Sequence, residues 1–130
     1  MKMRHYLPAA FAGTNKQDIL LVGAGGTGSQ ILTDLARMNQ ALISLGGKGI
    51  RVTTIDPDKV TATNVGRQLY SMSDIGLKKA IVLTTRVNAF FGTSWEAYPA
   101  MLTKKTVVTK NTYIMVITAV DNVDARLAAH

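Results

Sequence analysis

The chain has 130 residues, 47% of them hydrophobic and 18% charged, which is enough apolar material for one cored domain and excludes a disordered segment. It contains no cysteine, so a disulfide framework, a thiolate metal site and a cysteine nucleophile are excluded within it. The net charge is +7, but the 15 Lys and Arg residues are scattered and never exceed two in a row, which solubility and a small anionic ligand explain as well as nucleic acid does.

Residues 1–17 read as a lead-in, with Pro8 and Gly13 set against regular structure. They hold no apolar segment of signal-peptide length, and no apolar run in the chain approaches the roughly 20 residues of a membrane span, so a cytoplasmic location is expected. Ile19 to Val22 is a short apolar run of the kind a strand buried on both faces shows. Gly23, Gly25 and Gly28 follow at once in the spacing G-x-G-x-x-G. Missing side chains there allow a tight turn, close approach of backbone to a pyrophosphate, and close packing of helix on strand. The next helix would begin under the phosphates, where its free N–H groups favour an anion. By itself the glycine spacing also fits an ordinary βα turn; the strand before it and the helix after it favour a nucleotide.

Ile31, Leu35, Met38, Leu42 and Leu45 recur at spacings of four and three, predicting a helix over 28–45 that lays this stripe, Met38 included, on the sheet. Gly46, Gly47 and Gly49 stop it. Ile50 to Ile55 reads as a second strand ending at Asp56. In a βαβ unit that strand delivers its last residue to the edge that carries the glycine turn, so Asp56 is placed for a ribose. Turn chemistry around Pro57 explains Asp56 and Asp58 equally well. Residues 59–73 have no sustained period and carry Asn64, Gly66, Arg67 and Gln68, which reads as a functional loop. Asp74 is placed to cap the next helix, and Leu77, Ile81, Thr84, Val87 and Phe91 mark that second helix, with Lys78 and Lys79 in its first turn. Lysines at that end point to a nearby anion or, more commonly, to a solvated surface. Trp95 to Tyr98 reads as a short strand whose aromatics belong to core or rim, and 104–110 as a short helix or an irregular crossing. Tyr113 to Val120 is an apolar run of central-strand type that stops at Asp121. A carboxylate there lies in the crevice where open α/β sheets bind ligands, placed for Mg²⁺ beside phosphates, for an N-cap of 123–129, or for both.

Taken together, GAGGTGS at 23–29, DPD at 56–58, NVGRQ at 64–68, GLKKA at 76–80 and AVDNVDAR at 119–126 resemble the ThiF, MoeB and ubiquitin-activating enzyme superfamily. The wording around NVGRQLYS and RVNAFFGTSWEAYPA looks most like the ThiF-family proteins of the PRTRC cassette. The resemblance implies a Rossmann-like α/β fold, an open and mainly parallel sheet with helices on both faces, over 18–130, with the later strands of the family missing. It implies ATP-dependent adenylation of the C-terminal carboxylate of a small ubiquitin-like or carrier protein, with Mg²⁺ as cofactor, pyrophosphate released, and a homodimer in the full-length protein. By the same resemblance Gly23, Gly25, Gly26 and Gly28 line the nucleotide and Asp56 holds the ribose, with Asp58 and Gln68 of the same blocks beside them. Asn64, Arg67 and Lys79 sit on the phosphates and Asp121 positions the metal, so Arg67, Lys79 and Asp121 carry the chemistry. Lys78 competes with Lys79 for the lysine position, and Arg4 is a candidate for the arginine that family dimers borrow from the partner subunit. Two other functions fit the same residues in part. A nicotinamide-dependent dehydrogenase uses the glycine turn and Asp56 but leaves Arg67, Lys79 and Asp121 without a role. A non-catalytic nucleotide- or partner-binding module keeps the fold without turnover.

Overall fold

The computed structural model describes residues 16–101 and 113–119. Four strands, β1 (Gln17–Val22), β2 (Ile50–Ile55), β3 (Glu96–Tyr98) and β4 (Met115–Thr118), form one sheet in the order β3-β2-β1-β4. Every pairing is parallel. Val22 pairs with Ile55 on one side and Thr118 on the other, and Ile55 pairs with Tyr98, so all four carboxyl ends finish along one edge. The chain moves outward from β1 through β2 to β3 and then returns to the far side of β1. That reversal makes the gap between β1 and β4 a topological switch point, the place where open α/β sheets hold ligands.

Helix α1 (Gly26–Ser44) joins β1 to β2, and α2 (Lys79–Phe91) lies between β2 and β3. Both pack on the same face of the sheet, against Ile19, Leu21, Ile50 and Val52. Right-handed crossovers that step in one direction place their helices on one side, which accounts for this. The opposite face presents Leu20, Val22 and Ile55 with Tyr113 against them. Helix cover of that face, part of the expectation from sequence, lies outside the described residues, as does the segment 104–110.

The buried stripe of α1 is Ser29, Leu32, Leu35, Ala36, Asn39 and Leu42, rotated from the one the apolar spacing predicts. Met38 is 38% exposed and is not core. Small and polar residues took the inner face because the helix lies close to the sheet, and an apolar count cannot register them. Asn39 is the instructive case: it is buried, and its Oδ1 accepts the Ile50 N–H at 2.8 Å, satisfying the donor that opens β2. In α2 the inner face is Ala80, Leu83, Thr84 and Val87, while Leu77 is exposed ahead of the helix, which starts at Lys79, and Ile81 is exposed on its outer side. It ends at Gly92, whose φ of 71° is left-handed. Trp95 is core as expected, its Nε1 donating to the Ile50 carbonyl at 3.2 Å. The expected central-strand run narrows to β4, which pairs with β1 alone among the described residues.

Between β2 and α2 the chain makes two short 3₁₀ turns, 62–64 and 72–74, and Asp74 caps the second of these, not α2. Its Oδ2 accepts the Ser71 N–H at 2.7 Å, and its Oδ1 accepts from the Arg86 guanidinium on α2. That guanidinium holds the buried Asp74 carboxyl below the usual carboxylate range, with the Ser71 bonds acting in the same direction against the cost of burial. A depressed folded-state pKa means the pair adds stability above the unfolded value of about 3.9. That contribution is lost as pH falls through the folded value. Asp74→Asn is therefore expected to cost about 1–2 kcal/mol near neutrality, the half-exposed Arg86 limiting the figure, and to lose less than the parent on acidification. Urea midpoints at pH 7, 4 and 3 measure this; parallel acid losses in both proteins would show that Asp74 does not carry the linkage.

Candidate functional site

The glycine turn is set by backbone geometry. Gly23 has a φ of 108°, a conformation that L side chains rarely adopt, and its N–H donates to the Ile55 carbonyl at 2.8 Å. A Cβ on Gly28 would stand 2.0 Å from the Gly23 carbonyl oxygen, so helix and strand approach as closely as they do only because that residue is glycine. Gly25 is the N-cap of α1, with no side-chain cap bond and no acidic residue in the first turn, leaving the first N–H groups of a 19-residue helix free of side-chain partners. Their partial positive charge opens onto a cleft of about 690 Å³ at the carboxyl edge of the sheet.

Gly23, Gly25 and Gly26 line this cleft, as do Asp56 and Asp58 after β2, Asn64, Arg67 and Gln68 of the loop, and Lys79 at the start of α2. Gly28 does not: it packs the turn from behind. Asp121 and Arg4 lie outside the described residues. Of the two competing lysines it is Lys79 that lines the cleft, 7% exposed, its backbone N–H donating to the Asp58 carbonyl at 3.0 Å. Among the described residues neither Lys79 nor Arg67 forms a salt bridge. The Lys79 side chain is thus largely covered, and its ammonium, without a counter-charge among the described residues, is open to an anion in the cleft.

Asp56 is buried and accepts two backbone N–H groups, Ala24 on Oδ2 and Asp58 on Oδ1, each at 2.7 Å. The turn chemistry expected around Pro57 is thus present, and Asp56 also ties β2 to the glycine turn. Each oxygen keeps a second lone pair, so a ligand hydroxyl has acceptors there. Asn64 spends its Oδ1 on the N–H and Oγ1 of Thr61. Its amide N–H₂ donates to no described residue and stays available at the cleft. Gln68 Oε1 is buried without a partner among the described residues, an acceptor beside Gly25 and Gly26. The donor set fits a nucleoside triphosphate: helix N–H groups and the Arg67 and Lys79 cations for phosphates, carboxylate oxygens for hydroxyls. For Mg²⁺ the described donors are the carboxylates of Asp56 and Asp58, and this ion usually takes one or two such oxygens together with those of phosphates. A larger cavity, about 900 Å³, lies near the opposite edge of the sheet, away from the glycine turn, and Arg51 in its wall is paired with Asp18 at 2.9 Å.

A family model described as the ThiF family matches residues 8–129. The chain belongs to the ThiF family. It is 38% identical over 85 residues to the tRNA threonylcarbamoyladenosine dehydratase of Haemophilus influenzae, covering 65% of this chain and 29% of that protein. It is 31% identical over 110 residues to the NEDD8-activating enzyme E1 catalytic subunit of Arabidopsis thaliana, covering 83% of this chain and 22% of that one. Among solved structures, the E. coli tRNA N6-threonylcarbamoyladenosine dehydratase TcdA in complex with ATP superposes with a TM-score of 0.64 at 29% identity, over 98% of this chain and 50% of that chain. This ThiF-family chain therefore spans less than a third of the length of these curated relatives and half of that structure.

Several cleft residues of the ThiF-family chain escaped the sequence reading. Thr27 and Thr63 are neighbours of predicted residues, and their adjacency to Gly26 and Asn64 was the available signal. Met101 carried none. Tyr70 does not line the cleft, yet its hydroxyl reaches the carbonyls of Ala24 and Lys79, an arrangement invisible in one dimension because 46 positions separate Tyr70 from Ala24.

Proposed function

We propose that this chain supplies the nucleotide-binding part of an ATP-dependent adenylyltransferase, which activates the C-terminal carboxylate of a small ubiquitin-like or carrier protein and releases pyrophosphate. The observation that carries the reading is the gathering of two cations without a salt bridge among the described residues, Arg67 and the nearly buried Lys79, on the same cleft as a helix N-terminus without a side-chain cap. Attack of a carboxylate on the α-phosphate brings anions together, and fixed positive groups lower the barrier most where that charge builds up. In this scheme the α1 N–H groups, Asn64, Arg67 and Lys79 hold the phosphates, and Asp56 accepts from the ribose hydroxyls. Mg²⁺, when bound, neutralises phosphate charge, with Asp121 of the same motif set as its proposed holder. The reading includes a homodimer and the finer likeness to PRTRC-cassette proteins, which rests on NVGRQLYS and the segment after Arg86. Support comes from the family assignment and from relatives whose names include an E1 catalytic subunit and a dehydratase solved with ATP.

A dehydrogenase would use the glycine turn and Asp56 and leave both cations idle. Calorimetric titration of the whole protein is expected to show MgATP binding tighter than NAD by tenfold or more; tighter NAD binding sinks the proposal. ATP–pyrophosphate exchange then separates turnover from mere binding. Exchange that depends on a carrier protein supports the stated substrate class, exchange that depends on tRNA moves the reaction to another carboxylate, and binding without exchange leaves a non-catalytic module.

A further inference from the structure

Tyr70 is buried, lies outside the cleft, and still touches three segments that build it. Its side chain is covered to all but 5%, and its hydroxyl donates to the Ala24 carbonyl inside the glycine turn. The Lys79 carbonyl lies 3.4 Å from the same oxygen, so the start of α2 is a second, weaker acceptor. The backbone of Tyr70 closes the loop that carries the arginine: its N–H donates to the Gln68 carbonyl at 2.8 Å, and its carbonyl accepts from the Gly66 N–H at 3.4 Å. Ala24 is held on its other side too, since its N–H donates to Asp56 Oδ2 at 2.7 Å. Both peptide groups flanking Ala24 are thus pinned, one by the end of β2 and one by the arginine loop. A peptide plane that cannot rotate keeps the following N–H groups, those of Gly25 and Gly26, directed as the start of α1 requires.

The chemistry of the phenol suits the task. Burial first, then the Asp56 and Asp74 carboxylates, push its ionisation well above the ordinary tyrosine value, so it stays a donor across any pH at which the protein is handled. Phenylalanine would fill the same space but leave a buried carbonyl without its donor, which costs more than the bond itself contributes.

We infer that Tyr70 is a positioning residue that locks the glycine turn to the Arg67 loop, so that the helix N–H groups and the guanidinium address one anion together. The identity of that anion rests on the adenylation reading; the coupling between turn and loop does not. The two are separated by comparing Tyr70→Phe with the parent, and with Leu83→Ala as a core destabilisation that removes no polar group of the turn. Gly25 shares a peptide group with the Ala24 carbonyl, so its amide nitrogen resonance should move in Tyr70→Phe. Hydrogen exchange at the Ala24 and Ser29 amides, both hydrogen-bonded in the turn, should rise at least tenfold relative to Leu20 and Leu21 of β1. Leu83→Ala should accelerate all four alike. The dissociation constant for MgATP should rise about fivefold in Tyr70→Phe, the loss of roughly one hydrogen bond's net worth. Uniform exchange changes in Tyr70→Phe would overturn the coupling. A parent that binds no ATP, with the differential exchange intact, would overturn the adenylation reading and leave the coupling standing. Should the variant not fold, the parent decides: its Tyr70 hydroxyl proton should appear as a slowly exchanging resonance with cross-peaks to the glycine turn, and rapid exchange with water would overturn the inference.

Discussion

Arg67→Ala is expected to lower kcat for ATP–pyrophosphate exchange by about a hundredfold or more while changing ATP affinity by only a few fold. Arg67 is exposed on the cleft, forms no salt bridge among the described residues, and so has no structural partner to lose. Its removal should barely change the melting temperature. A cation aimed at charge that develops during substitution is worth more in the transition state than in the ground state, and removing one such donor typically costs 10²–10³ in turnover. Asp56→Ala should behave in the opposite way. The structure gives Asp56 two backbone donors, so the variant leaves the buried Ala24 N–H unsatisfied and loosens the glycine turn. Roughly 1–3 kcal/mol of stability should go with it. Because a ribose does not react, KM for ATP should rise with kcat little changed. Steady-state exchange at several ATP concentrations, with a melting curve for each variant, tests the pair. Equal kcat losses accompanied by matching drops in melting temperature would mean that Arg67 merely packs its loop.

Gly28→Ala should be the most destabilising single-methyl change in the described fold, at least about 3 kcal/mol, the upper range for forcing atoms into a packed interior. Helix propensity argues the reverse, since glycine inside a helix costs roughly 0.5–1 kcal/mol relative to alanine. Geometry decides the sign. The new methyl would stand 2.0 Å from the Gly23 oxygen and 2.7 Å from the Gly23 carbon, both backbone atoms. Gly23 cannot step aside cheaply, because its N–H is bonded to Ile55 and its φ of 108° is already a glycine conformation. Gly26→Ala is the control: its methyl would meet only Gln68 Cγ at 3.9 Å, an ordinary contact, so the folded state should keep its stability within about 1 kcal/mol. Urea midpoints of the two variants against the parent measure the difference, and a Gly28→Ala protein as stable as the parent would show that the turn relaxes.

The strands and the glycine turn were legible in the sequence because their signals are local. Ile19 to Val22 is an apolar run and Ile50 to Ile55 a stretch rich in β-branched residues, each bounded by polar or turn residues, and the observed strands include both in full. Parallel pairing followed from alternating strands and helices, and with it the convergence of the glycine turn and Asp56 on one edge. Family motifs added Asn64, Arg67, Gln68 and Lys79 to that edge. What a line of letters could not supply was the rotation of each helix about its own axis. Met38 reads as core by spacing and is 38% exposed, while Asn39 beside it, outside the apolar stripe, is buried, because a hydrogen bond to Ile50 and the close approach of α1 to the sheet outweigh apolar content. Nor could sequence show that Asp56 and Tyr70 hold the two sides of Ala24, since those bonds join positions 32 and 46 apart. Local chemistry determined which residues could meet a phosphate; tertiary contacts decided which of them are held still, because only long-range hydrogen bonds fix the orientation of a turn that glycine leaves free.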